Sequence, residues 1–177
     1  VIHNLMSTEK PRKTLLLISA QRMTYEKGEQ RIIDLAETFT RNNIPFLWIV
    51  FTKDKLSKHV PGVAVADPTL YAKDFFKRAD YVVGLSDIEA YGYTLVEAMQ
   101  SGVPVLTTPI SVLDEIGFKD GVNGYIVPFD AKEADVKKFY NKIPKFKALK
   151  NNNDEIIQQW QQLLGDTTPT HSYKPFS

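Results

Sequence analysis

Glu89 and Glu97 stand eight positions apart, with Gly92 and Thr94 between them. Gly92 gives the chain a flexible point, and Thr94-Leu95-Val96-Glu97 has the spacing of a helix capping box with Thr94 as N-cap. One carboxylate then belongs to a loop and the other to the first turn of a helix. Loop amides and a helix N-terminus converge on a spot suited to phosphate. Two carboxylates beside an anion site match a ligand with both hydroxyls and phosphates, such as a nucleotide sugar. Spacing alone leaves a blander reading open, in which Glu89 is a solvated loop acid, Gly92 a turn glycine and Glu97 a capping acid.

Arg22 and Lys27 form a second group, with Gly28 beside Lys27. A pyrophosphate there would meet a bidentate guanidinium and a mobile ammonium. The alternative is a pair of solvated loop cations. Ala20-Gln21-Arg22 lacks the glycine of a dinucleotide fingerprint, which argues against a nicotinamide dehydrogenase, and no Walker P-loop occurs.

These residues need elements to hold them. Apolar runs at 14–19, 45–51, 63–66, 80–84, 103–107 and 125–127 read as strands. Helices are expected at 29–42, with Ile32, Ile33, Leu35, Ala36 and Phe39 as its apolar stripe, and at 69–77, 95–100, 112–116, 131–140 and 154–164. Gly102 sits where a helix C-cap glycine belongs, and Asn123-Gly124 signals a turn. Alternating strands and helices predict an α/β fold, a Rossmann-like doubly wound parallel sheet with helices on both faces. Ligands bind such sheets outside the carboxyl ends of the strands, where the strand order reverses. Arg22, Lys27, Ala66, Glu89, Thr94 and Thr108 all follow the ends of expected strands.

Bulk properties frame this reading. A chain of 177 residues, 43% hydrophobic and 24% charged, suits one soluble globular domain with a real core. Its net charge of +1 gives no global field toward nucleic acid or an anionic membrane. Cysteine is absent, which excludes disulfides and thiolate metal sites and suits a reducing compartment. The apolar runs are too short to cross a bilayer, and no signal peptide is visible. The chain opens on Val1-Ile2, which reads as a strand end, so a piece of a longer protein is expected. His3, His59 and His171 have no spacing that suggests a metal or a dyad. The lysines from Lys132 to Lys150 read as a solvated face, with contact to an anionic membrane as the alternative.

Together these residues resemble the C-terminal, donor-binding domain of the large retaining glycosyltransferase family 4, with the GT-B fold. Val1-Ile2-His3-Asn4 is similar to the family's strand end before the interdomain hinge. Arg22-Met23-Thr24-Tyr25-Glu26-Lys27-Gly28 resembles its basic loop, and Glu89 with Glu97 its paired glutamates. Glu97-Ala98-Met99, Ser101-Gly102-Val103-Pro104-Val105, Glu115-Ile116 and Gly121-Val122-Asn123-Gly124 resemble the segments that follow, in the same order. Ala90 and Gln21 stand where the family usually has glycine.

The resemblance implies one half of a GT-B fold. Residues 1–165 would be the nucleotide-sugar-binding domain and 166–177 a loosely held tail, with the N-terminal acceptor domain absent from this chain. It implies a catalytic set of Arg22 and Lys27 on the donor diphosphate and Glu89 on the transferred sugar. Glu97 would take the ribose, amides of Gly92, Tyr93 and Thr94 the phosphates, and the loop at Ala66 the base. It further implies a UDP- or GDP-linked donor, a saccharide or lipid-linked acceptor, and no metal, cofactor or nucleic acid. The setting would be polysaccharide or glycoconjugate biosynthesis in the cytoplasm, with peripheral contact at the inner face of the membrane as an option. This fragment alone would not transfer sugar. A GT-B-type nucleotide-sugar epimerase and a noncatalytic nucleotide-binding module are the rival functions.

Overall fold

The computed structural model describes residues 13–20, 26–68, 73–86 and 92–148, the side chains of 26, 27, 73, 74, 92 and 93 excepted. The elements run β1 (Leu15–Ala20), α1 (Glu26–Arg41), β2 (Phe46–Phe51), β3 (Val63–Ala66), α2 (Lys73–Phe76), β4 (Tyr81–Gly84), α3 (Gly92–Gln100), β5 (Val105–Thr107) and β6 (Gly124–Ile126). A 3-10 turn at Ala131–Glu133 and α4 (Val136–Asn141) follow. Six strands form one sheet in the order β3-β2-β1-β4-β5-β6, and every pairing is parallel. The chain thus builds outward from β1 in one direction and returns to build outward in the other. This is the doubly wound fold expected from the alternation of elements.

Strand residues alternate between two cores. Leu15, Leu17, Trp48, Val50, Tyr81, Val83, Leu106 and Tyr125 pack with α1 and α4 on one face. Ile18, Ala20, Phe51, Val82 and Val105 pack with α2, α3 and residues 110–118 on the other. Burial on both faces is why the strands read as nearly continuous apolar runs. Each fully buried large side chain contributes about 1.5–3 kcal/mol. In α1 the expected stripe of Ile32, Ile33, Leu35, Ala36 and Phe39 is buried.

Helix ends follow local chemistry. Gly102 takes φ +76°, with Val103 N–H donating to Ala98 O at 2.9 Å and Gly102 N–H to Met99 O at 3.1 Å. That is a Schellman motif. Asn43, at φ +57°, closes α1 in the same way.

Several expectations need correction. The Thr94 capping box is not formed, because α3 begins at Gly92 and carries Thr94 in its first turn and Glu97 in its second. Residues 112–116 are hydrogen-bonded turns rather than a helix, closed by Gly117 at φ +86°. The helix expected at 131–140 is split at extended Ala134, and Asp135 then caps α4 through Lys138 N–H. A side-chain acceptor at each start allows two short helices in place of one. Gly124 is not a turn residue but the first residue of β6. A Cβ there would lie 2.1 Å from Val105 O, so the strands approach this closely only with glycine. The strand end at 1–4, the helix at 154–164 and the tail at 166–177 lie outside the described residues.

Tyr81 is fully buried between the sheet and α4, and its hydroxyl donates to Phe139 O at 2.6 Å. Burial, and then the nearby Tyr125 and Asp80, push its phenol well above the ordinary value of 10.0. The stability that this protonated phenol lends is full below the unfolded value and falls as pH rises above it. Tyr81→Phe is therefore expected to cost about 1 kcal/mol at neutral pH. It should also flatten the alkaline loss of stability above pH 10 by about 1.4 kcal/mol per pH unit, read by urea denaturation at both pH values. Gly124→Ala should cost about 3 kcal/mol, at the upper end of overpacking.

Candidate functional site

The strand order reverses between β1 and β4, and there the sheet opens. Their pairing registers Leu17 with Tyr81 and Ile18 with Val82 and stops before either strand ends. Beyond that point the Val83 carbonyl accepts from Ser19 Oγ at 2.8 Å, and Ser19 Oγ accepts from Trp48 Nε1 at 2.8 Å. All three residues are buried. A side-chain hydroxyl therefore satisfies a strand carbonyl where the ladder ends, and the two strands part without stranding a polar group.

A shallow cleft sits over this parting, lined by Ala20, Val83, Gly84, Ser86, Thr94, Leu95 and Ile110, with a volume of about 10 Å³, room for about one water. It brings together the carboxyl ends of β1 and β4 and the first turn of α3. The approach is close at Gly84, where a Cβ would lie 3.3 Å from Leu95 Cδ2 and the leucine would have to give by a few tenths of an ångström. Among the described residues the lining is apolar except for the Ser86 and Thr94 side chains and the backbone. The first turn of α3 borders it, and the first amides of a helix lack helical partners.

Two side chains hold the segment between β4 and α3 at its root. Thr108 Oγ1 donates to Ser86 O at 2.5 Å, and Thr108 N–H to Gly84 O at 3.2 Å. Arg31 of α1, only 7% exposed, donates from Nη1 to Leu85 O at 3.2 Å and from Nε to Phe129 O at 3.1 Å. Its guanidinium also lies 4.7 Å from the centroid of the Phe129 ring. Sequence reading missed Arg31. The available signal was its place on the buried stripe, one turn before Leu35. It also missed Ser19, a lone hydroxyl inside an apolar strand.

Among the residues expected at the site, Thr94 lines the cleft and Gly92 and Tyr93 open α3 beside it. Lys27 is the second residue of α1. Ala66 ends β3, in register with Phe51, which is in register with Ala20. Two strand spacings, about 10 Å, separate Ala66 from Ala20. Glu97 is one turn deeper in α3 and only 2% exposed. Arg22 and Glu89 lie outside the described residues. Among the described residues no group of three or more His, Asp or Glu side chains is arranged to hold a metal ion. No helix among them is long and apolar enough to cross a membrane.

Comparison with known proteins agrees with this geometry. A family profile described as glycosyl transferases group 1 matches residues 67–162. No curated protein sequence matches the chain. Among solved structures, the lipopolysaccharide outer core galactosyltransferase WaaB in its apo form is similar, with a TM-score of 0.60 at 19% identity over 88% of this chain and 46% of that one. The pneumococcal O-GlcNAc transferase GtfA in complex with UDP and GlcNAc gives 0.58 at 17% identity, over 86% of this chain and 36% of that one. Sucrose-phosphate synthase from Thermosynechococcus elongatus gives 0.56 at 16% identity, over 94% and 50%. The chain thus spans half or less of the length of each of these proteins. At such identities the likeness shows the fold, that of a Rossmann-like domain of GT-B glycosyltransferases.

Ser19→Ala would leave the Val83 carbonyl and the Trp48 indole without their shared partner. Two buried groups so stranded should cost about 2–4 kcal/mol, measured by urea denaturation. A loss under about 0.5 kcal/mol, the level of a surface substitution, would show that the hydroxyl does not hold the parting.

Proposed function

Because this chain belongs to the family of glycosyl transferases group 1, we propose that it is the donor-binding domain of a retaining glycosyltransferase of family 4 type. In this reading residues 1–165 bind a UDP- or GDP-linked sugar, and the full-length protein passes that sugar to a saccharide or lipid-linked acceptor in polysaccharide or glycoconjugate biosynthesis. The acceptor side is supplied by an N-terminal domain outside this chain. The setting is cytoplasmic, with peripheral contact at the inner face of the membrane open.

The observation that carries the reading is the cleft at the strand-order reversal, with the first turn of α3 as one wall and Thr94 in its lining. The donor diphosphate is proposed to sit over that turn, beside the amides of Gly92, Tyr93 and Thr94. Among the described residues the cleft lining carries no charged side chain. Neutralisation of the departing nucleoside diphosphate is assigned to Arg22 and Lys27, on the segment that leads from β1 into α1. Stabilising charge on a leaving group is commonly the largest catalytic contribution, and cationic side chains with a helix terminus do this without a metal. Glu89 is assigned to hydroxyls of the transferred sugar.

The carboxyl ends of β3, β2 and β1 lie in one row, with Ala66, Phe51 and Ala20 in register. A ligand laid along that row would have its base toward Ala66 and its diphosphate toward α3. Glu97, assigned to the ribose, is 2% exposed, so its contact requires the residues above it to move aside.

Titration calorimetry or ligand-observed NMR with UDP, GDP and ADP tests the reading. Binding of at least one is expected, and none at millimolar concentration would overturn it. Arg22→Ala and Lys27→Ala should each weaken nucleoside-diphosphate binding by about tenfold, the loss of one hydrogen bond to a charged group. Unchanged affinity would remove the residue from the diphosphate site.

A further inference from the structure

Arg31 is a buried cation in the middle of an apolar helix face. Its neighbours on that face, Leu35 and Phe39, are fully buried, as are Ile32, Val83 of β4 and Leu85 just after it. A guanidinium in such a place is retained only when its donors are satisfied, because a buried unpaired charge is strongly destabilising. Two of its donors reach carbonyls that are far apart in sequence, Leu85 O and Phe129 O, at 3.2 and 3.1 Å. The ring of Phe129, itself 45% exposed, covers the guanidinium. Three segments of the carboxyl edge are therefore joined at one group: the first turns of α1, the residue after β4 and the segment after β6.

The fork geometry matters. Arginine presents several donors in one rigid plane, so two carbonyls bound to it are fixed relative to each other as well as to the helix. Leu85 immediately precedes Ser86, and Ser86 is both a wall of the cleft and the residue whose carbonyl Thr108 holds. The Leu85–Ser86 pair is thus gripped by Arg31 of α1 and by Thr108, the residue after β5. Displacement of Leu85 would widen the cleft at the wall that faces Thr94.

We propose that Arg31 is a positioning residue for the ligand cleft: by fixing Leu85 O and Phe129 O against α1 it sets the Ser86 wall that a nucleoside diphosphate packs against. This rests on the donor-binding reading above. Arg31 itself touches no ligand, and its effect on affinity runs through Ser86.

The test compares the full 177-residue chain with its Arg31→Met, Arg31→Lys and Phe129→Ala variants, by calorimetric titration with UDP and GDP and by thermal unfolding. Arg31→Met keeps a long apolar stem and loses the fork. It is expected to weaken nucleoside-diphosphate binding by about tenfold at a temperature where circular dichroism shows it folded, equivalent to about 1.4 kcal/mol. Arg31→Lys keeps the charge and can reach one carbonyl, so it should recover part of that loss. Phe129→Ala changes an exposed position, leaves folding intact and should weaken binding by about threefold through a loosened guanidinium. A purely structural clamp would lower the unfolding temperature and leave the affinity of the folded protein unchanged, and that result in Arg31→Met overturns the proposal. If Arg31→Met does not fold, Phe129→Ala decides: weaker binding supports the positioning role and unchanged binding overturns it. Failure of the unsubstituted chain to bind any nucleoside diphosphate is a separate outcome, which removes the donor-binding reading and this proposal with it.

Discussion

The Ser19 hydroxyl, held between the Trp48 indole and the Val83 carbonyl, is the contact on which the site depends. A parallel sheet whose order reverses must let two neighbouring strands diverge at their carboxyl ends, and divergence strands backbone groups in a dry core. An unsatisfied buried carbonyl costs about 1–3 kcal/mol. One serine in an otherwise apolar strand removes that cost and ties three adjacent strands, β2, β1 and β4, together below the opening. The cleft exists because the sheet can end its β1–β4 ladder early without penalty.

The same logic extends upward from the sheet. The segments that leave the strand ends are irregular, and irregular backbone near a core needs side-chain partners. Thr108 supplies one to Ser86, and Arg31 supplies two, to Leu85 and Phe129. These polar contacts sit at the carboxyl edge. At the opposite end Asp80 receives the Leu16 amide at 2.8 Å and the Lys13 ammonium at 2.6 Å, tying the entrances of β1 and β4. The sheet is thus closed at its amino edge and opened at its carboxyl edge, where Ser19, Thr108 and Arg31 supply partners for the Val83, Ser86, Leu85 and Phe129 carbonyls.

Much of this was legible in the sequence where a single element decides the outcome. Val63–Ala66 was read as a strand and is one, and Gly102 was read as a C-cap and takes the left-handed conformation that a Schellman motif requires. The stripe of α1 was read correctly because apolar periodicity is set by the helix itself. Residues 112–116 were misread because one apolar turn fits a hydrogen-bonded turn as well as a helix. The Thr94 capping box failed because helix starts are decided by what the first turn packs against. With glycine at position 84, Leu95 comes close to the end of β4, and α3 begins two residues before Thr94. Gly124 carried a turn signal, yet the approach of the Val105 carbonyl is what demands glycine there.

The sequence by itself determined the element order and the parallel doubly wound sheet, because alternation and hydrophobic period are properties of local chain geometry. It also ordered the short segments that resemble a glycosyltransferase with the GT-B fold, and the matched family is glycosyl transferases group 1. Only the tertiary structure decided that Ser19, Trp48 and Val83 meet, that Arg31 joins Leu85 to Phe129, and that Glu97 is covered. Those contacts link residues 29 to 98 positions apart. Their existence follows from how strands register and helices dock across the sheet, and no local preference of the chain encodes it.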